Sequence, residues 1–118
     1  MRLVNVTRTE NRRRNDPGYL ASLQERFAPR VIVPEGGASP AAVRGCTRIA
    51  AMIRPLLSPS SKVVLAVGTG TTLAGIAAGL DRTCDIVGVS ALRGARDLDE
   101  RVRTALVQSG AASPASWQ

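Results

Sequence analysis

The sequence contains no histidine, which removes the Ser-His-Asp and Cys-His triads and the general base that titrates most readily near neutral pH. Its two cysteines, Cys46 and Cys84, have neither a histidine nor a second cysteine at ligand spacing, so no metal site is expected. They read as two buried free thiols in a reducing compartment, one in a helix and one at a strand entrance. Aromatic residues make up 3% of the chain, so a core must be built from Val, Leu, Ile and Ala, with its elements packed closely. No apolar run reaches the ~18 residues of a membrane helix, and the arginine-rich start lacks the apolar stretch of a signal peptide. A soluble, cytoplasmic protein is expected.

At 118 residues, 44% of them hydrophobic, the chain has the length of a single domain able to bury roughly two thirds of its unfolded surface. A net charge of +7 and a pI near 11.2 invite a nucleic-acid reading. The distribution argues against it, because seven arginines against three acids in residues 1–30 are followed by eight arginines and Lys62 against six acids in the remainder. Only Arg12, Arg13 and Arg14 cluster, and no aromatic is interleaved to stack on bases. A solvated face, or one suited to an acidic partner surface, is the better reading.

The chain is organised around residues 62–80. Five apolar residues, 63–67, run into Gly68-Thr69-Gly70-Thr71-Thr72 and then into small apolar residues without a proline. This is the pattern of a buried strand, a loop and a close-packed helix. The loop reads as an anion cup. Gly68 and Gly70 let the backbone approach a ligand, Thr69, Thr71 and Thr72 add hydroxyls, and the first helical amides lack internal partners. A dinucleotide fingerprint needs a glycine where Leu73 stands and an acid where Ser90 stands. A Walker A loop needs Lys and Ser/Thr where Ile76 and Ala77 stand. Both motifs fail, leaving a generic phosphate or carboxylate site at a helix N-terminus, with a plain tight strand-to-helix turn as the alternative.

Around this centre, residues 2–6 and 31–33 read as short strands, and 7–15 as an arginine-rich connection. Asp16 and Pro17 cap a helix over 17–27. Ser39 and Pro40 open a second helix, with Ala42, Cys46, Ile49, Ala50 and Ile53 on one face. Residues 58–61 form a linker, and 86–90 a further strand. A last helix starts at Asp97, Asp99 and Glu100, buries Leu98, Val102, Ala105 and Leu106, and stops at Gly110, with Asp97–Arg101 and Asp99–Arg103 as i,i+4 pairs. Strand and helix alternate four times, which predicts an α/β protein with a mostly parallel sheet between helical layers. Ligands of such sheets bind at the carboxyl ends of the strands, here residues 35–37, 68–72 and 90–94.

Two segments, Val-Ile-Val-Pro-Glu-Gly-Gly-Ala-Ser from Val31 and Val-Gly-Thr-Gly-Thr-Thr-Leu-Ala-Gly from Val67, followed by Ile-Val-Gly-Val-Ser, resemble one family. It is the pyridoxal-phosphate-dependent group of 1-aminocyclopropane-1-carboxylate deaminase and D-cysteine desulfhydrase, and the likeness covers most of residues 30–92. The resemblance implies part of a tryptophan-synthase-beta-like, three-layer fold, with pyridoxal phosphate as cofactor and a small amino acid as substrate. It places the cofactor's phosphate on Gly68, Thr69, Gly70, Thr71 and Thr72, although the family more often has glycine where Thr71 stands. It also implies a remnant of a small α/β domain in residues 1–33 and a partial cofactor domain in 34–118, with a homodimer among the assemblies to expect.

The family's Schiff-base lysine precedes the phosphate loop by a long way, whereas the only lysine here is Lys62, at the far end of the strand that carries the cup. No catalytic residue is therefore assigned, and the chain is expected to be inactive alone, as an internal portion of a longer protein. Tyr19 and Trp117 are poor substitutes for the family's missing residues, and Tyr19, in the first turn of a helix, reads as a packing residue. Two other readings stay open: a non-catalytic module binding a phosphorylated metabolite through the same cup, and a nucleic-acid binder acting through Arg8, Arg12, Arg13 and Arg14.

Overall fold

The computed structural model describes residues 3–29, 31–80, 84–111 and 116–118. The chain divides into two compact units, Met1–Pro34 and Glu35–Gln118.

The first unit is helical among its described residues. Helix α1, Arg8–Arg12, falls in the stretch expected to be a plain connection. Thr7 and Glu10 form a reciprocal capping box: the Thr7 amide donates to Glu10 Oε2 at 2.7 Å, and the Glu10 amide to Thr7 Oγ1 at 3.2 Å. Helix α2, Pro17–Phe27, begins as expected, with Asp16 accepting from the Tyr19 amide at 2.8 Å. Arg13 pairs with Asp16 at 3.0 Å and lies over the Tyr19 ring, so local contacts occupy part of the arginine cluster.

Neither short strand forms. Residues 3–6 and 31–33 have no regular structure, and Arg2 lies outside the described residues. A strand needs a hydrogen-bonded neighbour, and among the described residues these stretches have none; Val31 and Val33 are 72% and 71% exposed.

A capping box of this kind titrates. The Thr7 amide, and then its hydroxyl, hold the Glu10 carboxyl below its ordinary value, so the cap is complete above about pH 4.3 and is lost as pH falls through the depressed value. Amide exchange at Asn11 and Arg13, after correction for intrinsic rates, is expected to speed up from pH 6 toward pH 2, and α2 loses its Asp16 cap in the same direction, because the Tyr19 amide and then Arg13 hold that carboxyl below its ordinary value too.

In the second unit, helix α3, Pro40–Ile53, starts at Ser39, whose hydroxyl accepts from the Ala42 amide at 3.2 Å. Its buried residues are Val43 and Ala50, with Cys46 and Ile53 half-buried and Ile49 exposed, so the inward face is rotated from the expected stripe. Strand β1, Lys62–Val67, is followed by helix α4, Thr71–Gly79, and by strand β2, Asp85–Ser90. The two strands pair in parallel, Val63 beside Ile86 and Val67 beside Ser90. Trp117 bridges to Ile86 in the same sense, and the Gly88 amide donates to the Gln118 carbonyl at 2.8 Å.

Helix α5, Leu98–Ser109, ends at the left-handed Gly110, and its two i,i+4 ion pairs form at 2.8 and 2.7 Å. Val102 and Leu106 join Val43, Ala50, Leu73, Ala74, Ile76, Ala77, Leu80, Cys84 and Ile86 in one core. Cys84 is buried as expected, whereas Cys46 is only half-buried. Val63, Leu65 and Val67 face this core, and Val64, Ala66 and Val89 on the opposite face of the sheet are exposed. The architecture is mixed helix and strand with a parallel pair. No helix among the described residues is long and apolar enough to cross a membrane.

Candidate anion-binding site

The five residues singled out in the sequence lie together where β1 gives way to α4, and line a hollow of about 40 Å³ with Ala66, Val67 and Leu73. Gly70 is the N-cap of α4 in the left-handed conformation (φ 88°), which bars a side chain, so no side chain caps the helix. The Ala74 amide is the first to close an internal bond, donating to the Gly70 carbonyl at 2.9 Å. The amides of Thr71, Thr72 and Leu73 belong to the first turn, which has no intrahelical acceptor, at the positive end of the helix dipole. The hydroxyls of Thr69 and Thr71 meet at 3.2 Å, and Thr72 is exposed at the rim.

Two other segments bear on this site, one after the irregular residues 31–34 and one after β2. The 3-10 turn Glu35–Gly37 touches Thr69: a Cβ at Gly36 would stand 2.7 Å from Thr69 Cγ2. Ala91, one residue past β2, donates its amide to the Val67 carbonyl at 2.9 Å, holding the start of the 90–94 loop beside the end of β1. From below, α5 supports the cup, since a Cβ on Gly70 would stand 3.0 Å from Val102 Cγ2. The sequence placed residues 35–37 and 90–94 at the same edge as the cup, whereas the contact with Val102 had no signature, because it depends on an element distant along the chain.

Lys62 lies at the opposite end of β1, about 17 Å away at ~3.3 Å per residue. Its ammonium is 3.9 Å from Asp85 Oδ2, with 61% of its side chain exposed, the geometry of a surface pair at a strand entrance. A second, more apolar cavity of about 210 Å³ lies beside the cup, sharing Val67 and Leu73 and bounded by Gly88, Leu98, Asp99, Val102, Trp117 and Gln118. Asp99 is engaged there: Arg103 donates to its Oδ2 at 2.7 Å and the Trp117 indole to its Oδ1 at 2.9 Å. The Arg103 bond chiefly holds this carboxyl below its usual range, with a smaller contribution from Trp117.

Neither a family model nor a curated protein matches the chain.

Among the described residues no group of three or more His, Cys, Asp or Glu side chains gathers. The cup offers only amide and hydroxyl donors, a set that suits a phosphate or carboxylate oxygen and does not suit a cation.

Proposed function

We propose that residues 68–72 bind the phosphate of pyridoxal phosphate, as part of a deaminase- or desulfhydrase-like protein acting on a small amino acid. The observation that carries this reading is the uncapped first turn of α4, opening on a hollow lined with threonine hydroxyls at the carboxyl end of a parallel strand. The amides of Thr71, Thr72 and Leu73 and the hydroxyls of Thr69, Thr71 and Thr72 would hold the phosphate. A hollow of this size would hold the phosphate and leave the pyridine ring outside it. Bound pyridoxal phosphate supplies the electron sink for chemistry at an amino acid's α-carbon; this chain's part is to anchor and orient it. Lys62, tied to Asp85 at the wrong end of β1, does not serve as the covalent anchor. The exposed face of Val64, Ala66 and Val89 suits a second helical layer, which would complete a three-layer, tryptophan-synthase-beta-like arrangement.

The test uses pyridoxine 5′-phosphate, which lacks the aldehyde and so cannot label amines indiscriminately. Saturable binding is expected, competed by inorganic phosphate and absent for pyridoxine. Thr72→Asp is expected to abolish binding while preserving the fold, because an exposed carboxylate in the first turn favours the helix and repels an anion. No product is expected from D-cysteine or 1-aminocyclopropane-1-carboxylate with added pyridoxal phosphate, and no borohydride-stable adduct at Lys62. Phosphate competition without any contribution from the ring would instead favour a module for phosphorylated metabolites. Unchanged binding in Thr72→Asp would remove the cup from the reading.

A further inference from the structure

We infer that Gly36 is a positioning residue of the cup: its lack of a side chain lets the Glu35–Gly37 turn close on Thr69 and hold the Thr69 hydroxyl beside Thr71. The inference rests on the anion-binding reading above and adds to it a residue 32 positions before the loop starts. Gly36 and Gly37 are both left-handed, at φ 62° and 67°, so both tolerate a backbone that a side chain would strain. Their surroundings differ. A Cβ on Gly37 meets nothing within 4 Å, whereas one on Gly36 would stand 2.7 Å from Thr69 Cγ2 and 3.0 Å from Thr69 Oγ1. Of the two glycines in the turn, Gly36 is the one that lies against Thr69.

Thr69 has little freedom to yield. Its β-branched side chain is stiff at χ1, and turning it away from an added methyl would carry Oγ1 off its 3.2 Å contact with Thr71 Oγ1. The worst overlap is with the Thr69 methyl, not its hydroxyl. A serine at position 69 would remove that overlap and keep the donor.

The experiment measures dissociation constants for pyridoxine 5′-phosphate on the full chain. Gly37→Ala is expected to stay within about twofold of the native affinity and Gly36→Ala to fall roughly tenfold, the scale of one hydrogen bond to an anion. Gly36→Ala combined with Thr69→Ser is expected to regain most of that loss, a coupling that backbone strain alone would not produce. Thr69→Val keeps the side-chain bulk, leaves the turn untouched and is expected to weaken binding as much as Gly36→Ala does, so the idea remains testable if Gly36→Ala fails to fold. Equal losses in Gly36→Ala and Gly37→Ala without rescue by serine would overturn the positioning role and leave the anion site standing, as would native affinity in Thr69→Val. Absence of binding to the unsubstituted chain would defeat both the site and the role.

Discussion

Gly75→Ala is expected to cost about 3 kcal/mol or more, a large part of the 5–15 kcal/mol that stabilises an ordinary domain. An alanine Cβ at position 75 would overlap Cys46 Cβ and stand 2.6 Å from the Val43 carbonyl oxygen and 3.0 Å from Cys46 Cα. Two of those three atoms are backbone, so relief requires α3 and α4 to separate. Gly79, one turn later on α4, makes the same approach to Ala50 Cβ, and Arg54 donates to the Gly79 carbonyl at the end of this contact. The two helices thus meet along a seam of small residues, and one methyl opens it along its length. Urea unfolding followed by far-ultraviolet circular dichroism reads the loss as a lower midpoint at an unchanged slope. Gly45→Ala is the control: it lies in α3, meets nothing within 4 Å, and is expected to be neutral or to stabilise by about 0.5–1 kcal/mol. A Gly75→Ala midpoint equal to that of the native chain would mean the helices are not in such close contact.

Leu80→Ala is expected to cost about 2–5 kcal/mol by the same measurement. Leu80 is 1% exposed and among the largest fully buried side chains, just past α4 at its C-cap. Truncating it removes the transfer energy of the lost carbons and leaves a void. With aromatics at 3% of the chain, its neighbours in the core are Val, Ile, Leu, Ala and Cys, and none has a long flexible side chain to swing into the gap. Val107→Ala is the contrast. Val107 is 79% exposed on α5, and its truncation is expected to change stability by no more than about 0.5 kcal/mol. Similar losses at the two positions would contradict the assignment of the core.

Much of the fold was legible in the sequence where its signals are local. Asp16-Pro17 marked a helix start in the first unit; in the second, Ser39-Pro40 marked another, the run 63–67 marked β1, and the acidic start and apolar spacing of α5 placed it correctly. That residues 68–72 join β1 to α4 was legible because glycine and threonine interrupt an apolar strand before a run of small helical residues. The errors came where a local pattern depends on a distant partner. Residues 3–6 and 31–33 have strand composition but no neighbouring strand, and composition cannot supply one. Helix α1 is the reverse case: Thr7 and Glu10 stand at capping-box spacing, but the following residues lack the apolar periodicity that would have drawn attention to them. Val43 was passed over for Ala42 and Ile49 because the face a helix buries is chosen by its neighbour, here the glycine seam of α4. The same dependence hid the support that Val102 gives the cup, whereas residues 35–37 were expected at its edge.

The engagement of Trp117 with Asp99, Arg103 and Ile86 has an optical consequence. The chain has one tryptophan and one tyrosine, and they fall in different units: Trp117 in Glu35–Gln118, and Tyr19, beside Arg13, in Met1–Pro34. Each unit therefore carries its own chromophore. Indole emission follows the melting of the parallel pair and α5, near-ultraviolet tyrosine absorbance follows α2, and one heating curve recorded at both wavelengths shows whether the units unfold as one transition or two.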